Sequence, residues 1–120
     1  MKLILTHGYF LDSDEKEKEI MRPYPTLGLL YISAYLKENN ADVEIIDSTF
    51  LTKEKWLKQI ESKQPDIIAF YTNLMTKVSV IELVKKVKNI CKTTIVGGPD
   101  VTYNLKNYLD SGFDIAVVGE

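Results

Sequence analysis

The stretch Thr93-Thr94-Ile95-Val96-Gly97-Gly98-Pro99-Asp100 decides the fold of this chain. Its β-branched first half is typical of a strand, and the strand pattern stops at two glycines. The proline and aspartate that follow are typical of a helix start. Strand, glycine turn and helix start together form the geometry in which open α/β sheets receive a ligand, because glycine lets the backbone approach a bound group with no Cβ in the way.

The rest of the chain alternates between strand and helix patterns, with no internal repeat. Strands are predicted at 2–6, 42–47, 66–71, 93–96 and 114–118. Helices are predicted at 27–38, 52–62, about 74–90 and about 102–109, the last ending near Gly112. Alternating strands and helices indicate a parallel sheet with right-handed crossovers. We therefore expect one domain over residues 1–120 with a three-layer, flavodoxin-like (Rossmann-like) α/β fold, in which five parallel strands in the order 2-1-3-4-5 have helices on both faces.

Composition and charge exclude several classes of partner. The net charge of −2 gives no field that would draw nucleic acid or an anionic membrane, and no apolar run reaches the ~20 residues of a membrane span. Cys91 is the only cysteine, which excludes an internal disulfide and a cysteine-ligated iron–sulfur cluster within these residues. The first residues lack the length and cleavage site of a signal peptide. We expect a cytoplasmic protein with neither nucleic acid nor membrane as a partner.

A polar connection separates the first strand from the first helix and contains the charge run 12–19. Such a run is typical of a solvated loop, although its length leaves open a role as a flap or a partner contact. Thr26 is expected to cap the helix that follows. That helix is apolar over most of its circumference, so we expect burial on more than its sheet side, by a ligand or a second domain. Its residues Tyr31 and Tyr35 are expected to pack, with contact to a bound ligand as the alternative, and Trp56 in the second helix is expected to pack in the core.

The carboxyl ends of the predicted strands are the place where such sheets bind ligands. No aspartate ends the third strand, as a phosphate-accepting receiver domain would require, and the dinucleotide and phosphate-loop motifs are absent. With one histidine and one cysteine, the chain offers neither a nucleophilic triad nor a metal-ligand set. We therefore predict binding rather than catalysis, with no catalytic residue and no metal ligand.

Three blocks of the sequence resemble a known family. They are RPYPTLGLLYISAYL at 22–36, IVGGPDVT at 95–102 and DIAVVGE at 114–120. In this order and spacing they are similar to cobalamin-binding domains that precede radical S-adenosylmethionine (radical SAM) domains, and the resemblance covers nearly the whole chain. It implies that a corrin ring lies across the carboxyl ends of the strands and that the nucleotide tail of the cobalamin inserts at the sheet edge.

The resemblance also implies which residues meet the cofactor. Thr72 and Leu74 match the family's Ser/Thr-x-Leu, whose hydroxyl meets the base of the tail, and Gly97-Gly98 matches its double glycine, which the tail passes. The complete set of expected cobalamin contacts is His7, Gly8, Thr26, Leu27, Thr72, Asn73, Leu74, Gly97, Gly98, Pro99, Gly119 and Glu120. Two simpler alternatives stay open: Gly97-Gly98 forms an ordinary tight turn, or Thr72 caps a helix that begins near Leu74.

One motif of histidine-ligating cobalamin carriers, Asp-x-His-x-x-Gly, is missing after the first strand. The corresponding residues are Leu5-Thr6-His7-Gly8-Tyr9-Phe10, without the aspartate that would orient the imidazole. His7 is therefore expected to be a polar strand-end residue rather than a cobalt ligand. Asp47, after the second strand, is expected to close a turn, and Cys91 to be an inert buried thiol.

The resemblance implies an accessory role. The chain would hold cobalamin as the N-terminal domain of a radical SAM enzyme, a methyltransferase or a ring-forming enzyme, without being catalytic itself. A 4Fe-4S cluster and S-adenosylmethionine would belong to a downstream domain whose Cys-x-x-x-Cys-x-x-Cys set lies beyond Glu120. The alternatives are a ligand-free structural or interaction module of the same fold and a flavin or nucleotide binder.

Overall fold

The computed structural model describes residues 1–11 and 27–119, without the side chain of Leu27. The predicted charged loop 12–19, the cap Thr26 and the terminal Glu120 lie outside the described residues. The strands are β1 Lys2–His7, β2 Asp42–Ile46, β3 Ile67–Tyr71, β4 Thr93–Gly97 and β5 Ile115–Val117. The helices in this part of the chain are α1 Leu27–Glu38, α2 Lys53–Lys63, α3 Lys77–Val87 and α4 Val101–Ser111.

The five strands form one parallel sheet in the order β2-β1-β3-β4-β5. This confirms the predicted fold class and strand order. The larger core lies between the sheet and α2, α3 and α4. It is centred on buried residues from strands β1 to β4 and helices α2, α3 and α4: Ile4, Ile46, Trp56, Ile60, Ile68, Phe70, Val80, Val84, Val96, Val101 and Tyr108. A smaller core of Leu5, Leu29 and Val43 lies on the opposite face under α1.

Trp56 links α2 to strand β1 of the sheet through a side-chain hydrogen bond. Its side chain is fully buried, and its indole N–H donates a hydrogen bond of 2.9 Å to the Thr6 hydroxyl oxygen. That hydroxyl in turn donates to the carbonyl oxygen of Ile46 at 2.8 Å. The predicted core role of Trp56 is confirmed, and a buried indole with a partner for its N–H adds no unsatisfied donor to the core.

Helix α3 begins later than the sequence predicted. Asn73 and Thr76 form a side-chain-closed turn, in which the Thr76 N–H donates to Asn73 Oδ1 at 3.0 Å and the Asn73 N–H donates to Thr76 Oγ1 at 3.1 Å. Local bonds of this kind give the backbone an alternative to helix, so α3 starts at Lys77 rather than near Leu74. The alternative in which Thr72 caps this helix is therefore wrong.

Helix α1 is buried on one side only. Leu29 and Ser33, four residues apart, are buried against the sheet, while Tyr31 and Tyr35 are 70% and 67% exposed. The expectation that both tyrosines pack is thus wrong within the described residues, whereas the expected cover of the outer side of α1 by a ligand or a second domain stays a prediction. The physical reason is that one sheet face covers a single stripe of a helix, and no described element lies on the outer side of α1.

Candidate functional site

The register of the sheet brings the predicted binding residues to one edge. One row across the carboxyl ends of four strands consists of His7, Tyr71, Gly97 and Val117. The connections that carry the remaining described candidates start directly after this row. Because the strands are parallel, the connections share one edge, which is where sheets of this type bind ligands.

His7 is held by hydrogen bonds at both ring nitrogens. Its Nδ1 accepts from the Tyr9 backbone N–H at 3.1 Å, so Nε2 carries the proton and donates to Asp47 Oδ1 at 2.8 Å. The side chain is buried, and burial lowers the pKa of the imidazole despite the opposing effect of Asp47. The structure therefore places a neutral histidine at the end of β1, with no free nitrogen to offer a metal.

Asp47 closes the turn after β2, as the sequence indicated, and also binds His7 across the sheet. Its Oδ1 accepts from the Thr49 backbone N–H at 3.0 Å and from the Thr49 hydroxyl at 2.6 Å. Burial is the largest single influence and would raise the pKa of Asp47, but the hydrogen bonds from Thr49 and His7 together keep that pKa below its ordinary value. An aspartate thus orients the imidazole of His7 after all, although it comes from a different strand than the missing motif would use.

Thr72 is the first member of a chain of hydrogen-bonded side chains at the end of β3. Its hydroxyl is 3.0 Å from the Tyr108 hydroxyl, and the Tyr108 O–H donates to Asp100 Oδ2 at 2.7 Å. Burial and the hydrogen bond to Asp100 raise the pKa of Tyr108 to about 12. Asp100 is also bound by Asn104, whose Nδ2 donates to Oδ1 at 2.9 Å. The four residues form one network between β3 and α4.

The two glycines after β4 have different roles. Gly98 has φ of +124°, and a Cβ there would overlap the carbonyl oxygen of Thr72 and lie 3.0 Å from the Thr72 nitrogen. At Gly97 a Cβ would meet Val117 at an ordinary 3.7 Å. Gly98 is therefore required by the approach of the β4 turn to β3, whereas the fold does not need a glycine at position 97. The tight-turn alternative explains Gly98 but leaves Gly97 unexplained.

Gly8 also serves the packing of the fold. A Cβ at this position would lie 2.5 Å from Val80 Cγ2 at the start of α3, so the absent side chain lets the β1 connection lie against that helix. Asn73 is engaged in the turn with Thr76. Pro99 and Gly119 are exposed at the edge.

Exposed apolar side chains surround this edge. We call Phe50, Leu74, Met75, Val78 and Val118 the edge patch; each follows the carboxyl end of a strand, and Phe50, Leu74, Met75 and Val78 are at least 73% exposed. Several large apolar side chains exposed together mark a place where a ligand or partner is bound. Of the patch, only Leu74 was among the predicted contacts. The signal available in the sequence was the pair Leu74-Met75 directly after a polar strand end.

The described residues include neither a candidate metal centre nor a membrane-spanning helix near the site. Among residues 1–11 and 27–119, no group of three histidine, cysteine or acidic side chains could hold a metal ion. No helix in the same residues has the length and apolarity to cross a bilayer. A polar surface depression of about 450 Å³ lies at the opposite edge of the sheet, lined by residues that precede β3 and β4 such as Gln64 and Lys92.

The fold and the edge together define a class: a flavodoxin-like α/β domain whose binding surface is the carboxyl edge of its sheet. Residues 19–120 match the family model described as "B12 binding domain". The chain therefore belongs to the B12-binding domain family.

A curated relative is similar to most of the chain. The "Hopanoid C-3 methylase" of Methylococcus capsulatus (strain ATCC 33009 / NCIMB 11132 / Bath) is 28% identical over 89 residues. The match covers 72% of this chain and 17% of the methylase. The aligned region is thus a small part of that longer protein.

Proposed function

We propose that this chain binds cobalamin across the carboxyl edge of its sheet and acts as the accessory domain of a radical SAM enzyme. The observation that carries the proposal is the edge patch beside Gly97, in a chain that belongs to the B12-binding domain family. The chain itself supplies no catalytic side chain in this proposal; its task is to hold the cofactor.

The described residues fit the macrocycle of cobalamin. A corrin ring is broad and largely apolar on its faces, and the edge patch offers Phe50, Met75 and Val78 with most of their surface uncovered. Gly97 adds a stretch of backbone with no side chain above the sheet row. Burial of apolar surface at roughly 25 cal/mol per Å² is the main source of affinity that such a patch can supply.

The nucleotide tail is assigned to a different part of the same sheet edge. We propose that it passes Gly97 and reaches Thr72, and that the other contacts are those the resemblance implies. The full proposed set remains His7, Gly8, Thr26, Leu27, Thr72, Asn73, Leu74, Gly97, Gly98, Pro99, Gly119 and Glu120. Within it, His7 supports the edge by holding the β1 and β2 connections together, since both of its nitrogens already have partners.

When bound, cobalamin supplies methyl transfer or assists radical chemistry in the whole protein. A 4Fe-4S cluster, S-adenosylmethionine and a radical SAM domain following in the same polypeptide complete the proposal. Two findings support this part of the proposal. The first is the order of the three sequence blocks, and the second is the name of the relative, a methylase, of which the match covers 17%.

A ligand-free structural role is the second candidate. The observation that favours it is the complete hydrogen bonding of Thr72, whose side chain is fully buried and bound to Tyr108. In that case the edge patch would serve only as a contact surface for another domain.

A glycine substitution separates the two candidates. Gly97→Ala leaves the fold intact, because the new methyl group meets Val117 at an ordinary distance, but it places that methyl group in the path proposed for the tail. In the complete natural polypeptide, we expect Gly97→Ala to weaken binding of hydroxocobalamin at least about tenfold, measured by titration of its visible spectrum. Thr93→Val, on the same strand and the same sheet face at the opposite edge, is the control and should bind as the native protein does. Equal affinity in all three proteins would contradict the proposed path of the tail.

A further inference from the structure

The buried network at the end of β3 fills the space that the proposed function assigns to the cobalamin tail. Thr72 and Tyr108 are both fully buried, and their hydroxyl oxygens are 3.0 Å apart. The tyrosine ring also packs at 6.1 Å, centroid to centroid, from the ring of Phe113. In this structure, therefore, Tyr108 occupies the position next to the Thr72 hydroxyl.

The donors in this network can be assigned. The carboxylate of Asp100 only accepts, so the Tyr108 O–H donates to it, and the Tyr108 oxygen is left to accept from Thr72. A threonine hydroxyl has one proton, so as long as Tyr108 donates to Asp100, Thr72 cannot donate to Tyr108 and to the ring nitrogen of a tail base at the same time. The two partners exclude each other.

We propose that Tyr108 is an internal competitor for the cobalamin tail, and that the tail binds only when Tyr108 releases Thr72 and moves out of the space beside it. The proposal rests on the proposed function and names a residue that sets its selectivity. A corrinoid without the nucleotide tail does not need this space, so Tyr108 selects against tail insertion without affecting the corrin contacts.

Helix α4 contains a break at which this movement is possible. Asn104 has φ of −134° and ψ of 30°, outside the helical region, in the middle of α4. It lies between Asp100 and Tyr108 on the same side of the helix, and Gly98 with φ of +124° precedes the helix. The non-helical backbone of Asn104 marks a kink in α4, and at such a kink the part of the helix that carries Tyr108 can swing away while β4 and its turn stay in place.

The competition predicts that one substitution changes the affinity for a corrinoid with the tail and leaves the affinity for a corrinoid without it nearly unchanged. Tyr108→Phe keeps the ring but removes the oxygen that binds Thr72 and Asp100, so release of Thr72 no longer breaks those hydrogen bonds. We expect hydroxocobalamin to bind about 3- to 10-fold more tightly to this variant, which is the scale of one or two net hydrogen bonds. Cobinamide, which lacks the tail, should change by less than about twofold. Asp100→Asn, which weakens the anchor of Tyr108 without touching its ring, should act in the same direction.

The test compares both corrinoids with the complete natural polypeptide and its variants, by titration of the visible spectra. Tyr103→Phe is the matched control, because Tyr103 lies on the same helix but is 85% exposed; it should bind both corrinoids as the native protein does. Far-ultraviolet circular dichroism verifies that each variant is folded, and Asp100→Asn provides the test if Tyr108→Phe does not fold.

The outcomes separate this proposal from the proposed function. A selective gain for hydroxocobalamin supports the competition. An equal change for both corrinoids, no change, or a selective loss overturns it, and corrin binding itself still stands in those cases. If the native protein binds neither corrinoid, cobalamin binding is refuted and the competition with it.

Discussion

Gly98→Ala is the substitution for which the structure makes its sharpest stability prediction. The change adds one methyl group at a position with φ of +124°, where it would overlap the Thr72 carbonyl oxygen. Thr72 cannot move away, because its own N–H donates to the carbonyl oxygen of Gly97 at 2.9 Å. The overlap therefore forces either the β4 turn or the end of β3 out of position.

Two effects contribute to the cost. An alanine at this backbone angle is strained by about 1–3 kcal/mol, and forcing a methyl group against packed backbone costs about 1–3 kcal/mol more. We therefore expect the free energy of unfolding to fall by about 2–6 kcal/mol. That is a large part of the 5–15 kcal/mol typical of a domain, so a clear shift of the denaturation midpoint is expected.

Chemical denaturation followed by Trp56 fluorescence measures the loss. Gly119→Ala is the first control, because its φ is +84° but no atom lies within 4 Å of the added Cβ, so it reports backbone strain without overlap. Gly28→Ala is the second, because this glycine is in α1 with nothing within 4 Å, and alanine there should stabilise by up to about 1 kcal/mol. A Gly98→Ala loss no larger than that of Gly119→Ala would refute the reasoning from the contact with Thr72.

Two further predictions follow from the titratable groups. Burial lowers the pKa of His7 below 6.5 in the folded protein, so below about pH 6.5 the unfolded chain binds more protons than the folded one. The free energy of unfolding should therefore have its full value above about pH 6.5 and fall as the pH drops below it. In a pH series of denaturation curves, His7→Gln should make this fall less steep. The phenol of Tyr108, with its pKa raised to about 12, should contribute no phenolate absorbance below about pH 11, so difference titration of native protein against Tyr108→Phe should be flat there. Asp100→Asn should lower that pKa, because the hydrogen bond to the carboxylate is one of its causes; an unchanged titration would contradict the assigned network.

The parts of the fold that local pattern determines could be predicted from the sequence. The β-branched run before Gly97 forms a strand, as predicted. The helix that follows ends at Ser111, directly before Gly112, which is where the sequence placed its end. The strand order could be chosen correctly because right-handed crossovers leave few arrangements for a chain that alternates between strands and helices. The sequence pattern placed the start of α3 too early. The reciprocal hydrogen bonds between Asn73 and Thr76 compete with helix formation, and helix propensities of single residues do not include such side-chain pairs.

The pairings at the site could not be predicted, because they join residues far apart in the chain. His7 and Asp47 are separated by 40 positions and Thr72 and Tyr108 by 36. Spacing identified the strand ends as the binding edge but not which side chains bind each other across it. The one available signal was the spacing of Asp100, Asn104 and Tyr108 on α4, which places three polar groups on one side of a helix. For Tyr31 on α1, an apolar pattern predicted burial, but pattern alone cannot show whether a partner is present.

The central claim is that this chain binds cobalamin, and calorimetry tests it most directly. The complete natural polypeptide, shown to be folded by circular dichroism, is titrated with hydroxocobalamin. The proposal predicts saturable binding of one cobalamin per chain at micromolar concentrations, and a weaker affinity in Gly97→Ala. Absence of heat and of any spectral change with the folded native protein at those concentrations would contradict it.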